Sequence, residues 1–386
     1  MSNRFSLGLI VLLTSVLLAS SAIAQAPFTT TTIVNGNLSP IANGAALLNA
    51  VATATPPALI KVEPGTYDLD GAKLVMRDSV DVEGSGRDVT FITSNVPAST
   101  PSDATVVAPA HVRAQLRGLT VRNDSAADGT AVRIESDFFL LTSMNVETDV
   151  GGSSVGVDVF DCNAVIRDVF VRAGAKMLSA VGFQLIGGAP VLGSSFSFVS
   201  ADSLQNTGLV IGGDADAQVD QFFALANPEL KYAVAIAVQD DATAQLRNVR
   251  GTAISASWGS YGLYLLGNAQ VDVKESTFTA LNDNYTVTLY MTSNTRVEST
   301  GSTFIAGPMT TAHSQITTAL MYNQSSLDSN QSIFESTSVA FSNYSSGAVR
   351  FGASQIIGTM NATAPSSFQC IFSYNGSYSA RAANCL

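Results

Sequence analysis

The feature that most constrains this chain is a loose internal repeat of about 26 residues. A small residue or Thr, one intervening residue and an apolar residue recur at Ala164-Val165-Ile166, Ala189-Pro190-Val191, Ala217-Gln218-Val219, Ala244-Gln245-Leu246, Ala269-Gln270-Val271 and Thr295-Arg296-Val297. The apolar members are spaced by 25, 28, 27, 25 and 26 residues. Each repeat opens with a short apolar strand, as in Tyr261-Gly262-Leu263-Tyr264-Leu265, and turns at Gly, Asn or Asp, as at Gly267-Asn268. A second alternating strand follows. A third segment ends in an aromatic or Val, at Val169, Phe196, Phe222, Val249, Phe278 and Phe304.

Alternation with a period of two, bounded by turn residues, makes each repeat a coil of strands alone. Hexapeptide repeats and a Leu/Asn ladder, the marks of two other solenoids, are missing. A three-stranded coil of this length predicts an all-β fold, a single-stranded right-handed parallel β-helix of about 11–12 coils. Stacked coils put equivalent residues about 4.8 Å apart, so each column becomes a ladder. Ile166, Val191, Val219, Leu246, Val271 and Val297 are expected to form one inward ladder. Gln218, Gln245 and Gln270 are expected to form an outward one, beside Asp220, Arg247 and Asp272 in alternating sign.

A solenoid needs covered ends. Pro40 to Ala54, with Ile41, Leu47, Leu48 and Val51 on one face, reads as a short N-terminal capping helix. Ahead of it, Arg4, the apolar run Leu7–Ala19 and Ala22-Ile23-Ala24 read as a signal peptide cleaved between Ala24 and Gln25. The organisation is then residues 1–24 signal peptide, 25–57 N-terminal segment and capping helix, 58–365 β-helix and 366–386 C-terminal cap. Cys370 and Cys385, in an exported chain, predict a disulfide closing the last loop. Cys162 reads as a buried small side chain. The expected location is secreted, periplasmic or at the cell surface, with no integral membrane segment after cleavage.

The formal net charge is −11. An acidic chain without a basic stripe excludes nucleic acid as a partner. It also repels polyanions unless a metal ion intervenes.

Leu59-Ile60-Lys61-Val62-Glu63-Pro64-Gly65-Thr66-Tyr67 resembles the opening strand and Pro-Gly-x-Tyr turn of the pectin-lyase-like superfamily. Val80-Asp81-Val82-Glu83-Gly84-Ser85-Gly86, followed by Thr90-Phe91-Ile92, is similar to that group's next coil. The resemblance implies a β-helix and, in many members, activity on pectin-like polysaccharides. The catalytic signatures are not carried over. Asp240-Asp241 has no Gly-His-Gly or Arg-x-Lys partner motif, the Asp-Phe-Ile-Phe-Gly segment is absent, and no acidic cluster has a basic residue beside it in sequence. No catalytic residue and no dedicated metal ligand is assigned.

The acidic binding candidates are Asp214 and Asp216 in one turn and Asp240 and Asp241 in the next, with Asp161 expected in the column of Asp214 and Asp241. Stacked carboxylates suit calcium, the one cofactor considered, whereas Asp in a turn also bonds its own backbone. His111 and His313 read as loop residues. Trp258, Tyr261 and Tyr264 are read as strand packing with sugar stacking as the alternative, and Thr310–Thr317 lengthens its repeat. The functional expectation is a non-catalytic exported protein binding a glycan or other surface polymer. The alternatives are a polysaccharide lyase or glycoside hydrolase, and a structural adhesin or spacer.

Overall fold

A computed structural model describes residues 28–386 except 101, 229–230, 256–257, 283, 309–314, 363–367, 378 and 381–386. The expected signal segment, Ala24, Gln25, His313 and Cys385 lie outside the described residues. The chain winds into a right-handed parallel β-helix of about 12 turns with one helix near its start. Every strand pairs in parallel with its equivalent one turn later, and the pairings sort into three sheets along the rod. Right-handed winding is what twisted strands joined by parallel crossovers favour.

Sheet I begins with Thr30–Val34 on Ala58–Val62, ahead of the expected start at 58, and runs to Phe368–Ile371. Its inward column is Ile60, Val82, Leu116, Leu141, Ile166, Leu192, Val219, Leu246 and Val273, all essentially inaccessible. The expected ladder is therefore corrected at three places. Leu192 takes the position assigned to Val191, which turns outward beside Val165. Val271 and Val297 share the neighbouring inward column, below Ala244. The cause is turn length, since a turn one or two residues longer re-indexes every column after it. The amide ladder shifts likewise. Gln218 faces Gln245, but the next member is Asp272, while Gln270 lies between Thr243 and Arg296. The charged column reads Asp220, Arg247, Lys274.

The corner between sheets I and II is built from one device repeated. Gly118, Ser143, Asp168, Ser194, Gln221, Asn248, Glu275, Gly301, Gln331, Ala353 and Phe372 all adopt positive φ. This sharp corner turns the next N–H inward, where water cannot reach it. A serine from the following rung answers it. Val169 N–H donates to Ser195 Oγ at 3.2 Å, Ser276 to Ser302 at 3.2 Å and Ser302 to Ser332 at 3.3 Å. Each of these hydroxyls in turn donates to a carbonyl two residues back, such as Gly193, Thr300 and Asn330. A buried donor left unpaired is costly, so the serine column is a condition of the corner.

The core is otherwise apolar. Phe278, Phe304 and Phe334 stack along the axis with centroids 5.4 and 4.9 Å apart. Of the aromatics expected at the end of the third segment, Phe222 is buried, but Phe196 turns outward and stacks between Phe170 and Phe223. The helix Pro40–Thr53 starts at Ser39, whose side chain accepts Ala42 N–H. It covers the first rung with Asn43, Gly44, Leu47 and Val51, whereas Ile41, expected on that face, is exposed. Gly44 sits so close to the Asp68 backbone that a Cβ there would lie 1.9 Å from its carbonyl oxygen.

Candidate functional site

Sheet III carries the most distinctive surface. Its middle strands include Ser179–Ile186, Gln205–Gly212, Tyr232–Val238, Gly259–Leu265, Tyr285–Met291 and Gln315–Asn323, followed by the end of Ile333–Ser345. Two inward columns anchor it. One runs Phe183, Leu209, Ile236, Leu263, Leu289 and the other Leu185, Ile211, Val238, Leu265, Met291. A third column is held to Gly or Ala by sheet II behind it. A Cβ on Gly182 would meet Ser197 Oγ at 1.8 Å, and one on Gly208 would meet Ala224 Cβ at 2.8 Å.

The outward column between those anchors reads Gln184, Val210, Ala237, Tyr264, Tyr290, Leu320, Ser342. Tyr264 and Tyr290 stack with centroids 4.8 Å apart and planes 13° off parallel. Tyr261 packs edge-on to both, at 5.0 and 5.7 Å. The row continues through Tyr322 to Tyr344, stacked at 5.4 Å, and in the other direction through Tyr232 to Trp258 at 5.7 Å. Trp258 and Tyr344 close the row and are 54% and 50% exposed, and Lys231 Nζ lies 4.9 Å above the Trp258 ring.

Two electrical properties set this face apart. From Ser179–Ile186 onward, no sheet III strand contains Asp, Glu, Lys or Arg. The phenols themselves stay neutral, because burial, then neighbouring tyrosines, push Tyr261, Tyr264, Tyr285 and Tyr290 above the ordinary tyrosine range. Their hydroxyls, with that of Tyr322, have no hydrogen-bond partner among the described residues. Tyr67 shows the contrast. Buried under the cap, its hydroxyl reaches the Val34 and Glu63 carbonyls at 3.0 and 2.9 Å.

The acidic candidates occupy the turn after sheet III. Asp161, Gly187, Gly213, Asp240 and Gly267 are successive positive-φ corner residues, so Asp161 belongs to the column of Asp240 and not to that of Asp214 and Asp241. Asp214 and Asp241 lie in adjacent rungs. Asp240 Oδ2 accepts Gly213 N–H at 3.1 Å, Asp216 accepts the Thr243 hydroxyl at 2.7 Å, and Asp241 accepts the Asn268 amide at 2.6 Å. Among the described residues no three His, Cys, Asp or Glu side chains are grouped to hold a metal. His111 is an exposed turn residue with positive φ, Cys162 is buried, and Cys370 lies in Phe368–Ile371.

A polar cleft of about 340 Å³ on sheet II contains Arg122, Asp124, Glu147, Asp149 and Arg172. Arg122, Glu147 and Arg172 occupy one column, and Glu147 accepts from Arg122 Nε at 2.9 Å. The expectation that no acidic cluster has a basic neighbour is thus corrected, since residues distant in sequence meet one rung apart.

What decides the fold class is the register, three parallel sheets in which each strand lies over its equivalent one turn away. The fold is the right-handed parallel β-helix of the pectin-lyase-like proteins. No protein-family model matches the chain, and no curated protein matches it. Among solved β-helices it is similar to the Azotobacter vinelandii mannuronan C-5 epimerase AlgE6 A-module, at 12% identity over 86% of this chain and 95% of that one, with a TM-score of 0.46. It is also similar to an alginate lyase from Paenibacillus sp. str. FPU-7, at 11% identity over 90% and 98% of the two chains and a TM-score of 0.33. PfbA, a surface adhesin of Streptococcus pneumoniae, is similar at 9% identity over 88% and 91%, with a TM-score of 0.30. These β-helices share a winding with this chain, and no residue role is transferred from them.

Of the tyrosine row, the sequence singles out Trp258, Tyr261 and Tyr264. It leaves Tyr232, Tyr285, Tyr290, Tyr322 and Tyr344 unremarked. The available signal is the spacing of 26 residues between Tyr264 and Tyr290, the same as the repeat.

Proposed function

We propose that this is an exported, non-catalytic β-helix protein that binds a polysaccharide along the tyrosine row of sheet III. The observation that carries this reading is a line of partly exposed phenols whose hydroxyls lack partners, on a rigid sheet. Aromatic side chains combine apolar area with a polar tip and few rotatable bonds, which suits a ligand made of apolar ring faces edged with hydroxyls. The rungs repeat every 4.8 Å or so, near the length of one sugar ring, so successive phenols meet successive sugars. The expected signal segment supports export, and no described helix is long and apolar enough to cross a membrane.

Trp258, the single tryptophan of the chain, reports on the row. Titrating soluble polysaccharides should change its emission saturably for at least one of them. No change across a panel of neutral and acidic glycans, with no depletion from solution, would remove the reading.

A second reading is favoured by the sheet II cleft. Two carboxylates, Asp124 and Asp149, stand beside the Arg122–Glu147–Arg172 column, the type of grouping a polysaccharide lyase or hydrolase needs. New reducing ends or unsaturated products on incubation with polyuronates or neutral glycans, lost in Asp149→Asn, would establish it. A structural adhesin or spacer is the remaining alternative and predicts neither result.

A further inference from the structure

Resting on the sheet III reading, we infer that the polysaccharide held there is uncharged and lies lengthwise along the rod. The argument starts from where the charges are. Sheet I carries Arg167, Asp220, Arg247, Asp272, Lys274 and Arg296 on its outer face, and the sheet II cleft carries both signs. From Ser179–Ile186 to the last strand of sheet III there is none.

A polyuronate or sulfated chain laid on that face would press an anion against phenols and aliphatic side chains at every rung. Each anion would lose water and gain no cation, which is unfavourable in a partly desolvated setting. The surrounding molecule, at a net −11, adds long-range repulsion. The only ammonium near the row, Lys231, sits at its Trp258 end over the indole. A polycation is equally unsuited, because the row offers no carboxylate. An uncharged glycan gives up only hydroxyl hydration, and the free phenol hydroxyls replace it.

The lengthwise orientation follows from the register. Tyr232, Tyr261, Tyr290, Tyr322 and Tyr344 lie on five consecutive rungs, a span of about 20 Å along the axis. Across the rod the face is only a few residues wide before the turns begin.

The test measures binding of neutral and acidic polysaccharides to the full chain by depletion or calorimetry, at salt from about 0.05 to 0.5 M. The expected result is binding of a neutral chain, with affinity nearly independent of salt and rising with oligosaccharide length until the row is spanned. Acidic chains should bind at least about tenfold more weakly. Tyr264→Phe with Tyr290→Phe, which keeps the ring stack, should weaken the neutral ligand several-fold. Preferential binding of a polyuronate that these substitutions weaken would overturn the inference while leaving the row as the site. Glycan binding that no tyrosine substitution affects, or no glycan binding at all, would overturn the site itself and the inference with it.

Discussion

Ser302 Oγ accepts the backbone N–H of Ser276, one rung away, at 3.2 Å, and donates its own hydrogen to Thr300 O at 3.1 Å. One side chain thereby satisfies a donor on the neighbouring coil and an acceptor on its own. Ser302→Ala leaves the inward N–H of Ser276 without a partner. The expected cost is about 1–3 kcal/mol, read as a lower urea midpoint with an unchanged slope. Ser346→Ala is the control, since its hydroxyl only contacts Asn323 O at an exposed site, and it should move the midpoint little.

The small-residue column of sheet III sets how closely sheets II and III approach. Gly182→Val places its first added atom 1.8 Å from Ser197 Oγ and 2.6 Å from Gly208 O, with backbone on one side. The expected loss is about 3 kcal/mol or more, or failure to fold. Gly193→Ala, whose nearest neighbours would be 3.9 Å away, should be close to neutral by the same thermal melt.

Asp158 gives a pH dependence with a defined sign. Burial, against the pull of Arg133 and aided by Glu135, raises its carboxyl above the ordinary carboxylate range. Between the ordinary value and the raised one, the folded protein keeps a proton that the unfolded chain has released. Its contribution to stability is therefore full at low pH and is lost as pH rises through the raised value. Asp158→Asn removes that loss while Arg133 retains Glu135 at 3.1 Å. The stability of the variant relative to the natural protein should improve as pH goes from about 4 to 7, measured by urea unfolding at each pH. A difference that falls over this window contradicts the assignment.

The acidic turn candidates separate by calcium. Asp240, Asp216 and Asp241 each accept a hydrogen bond from Gly213, Thr243 or Asn268, which is the work of a turn. Millimolar calcium should leave the melting temperature unchanged. A rise of several degrees that disappears in Asp214→Ala with Asp241→Ala would make them an ion site.

The solenoid was legible because it is written in what strands require everywhere, which is alternation, Gly and Asn at corners, and a constant turn length. The register was legible only approximately. Val191 and Leu192 are both apolar, and nothing local says which faces in after the Gly187-Gly188-Ala189-Pro190 turn. The serine column was hidden by a composition already rich in serine. The tyrosine row was hidden by uneven spacing, since Tyr290 lies over Leu320, 30 residues on, and Tyr322 over Tyr344, only 22 on. The Arg122–Glu147–Arg172 column needs the register before its members become neighbours at all.

The most direct test compares Tyr264→Ala/Tyr290→Ala with the natural protein for affinity toward the polysaccharide that perturbs Trp258. The account predicts an affinity loss of about tenfold or more, with the rod's melting temperature within a few degrees of the original. Unchanged affinity in a folded double variant would show that the ligand lies elsewhere.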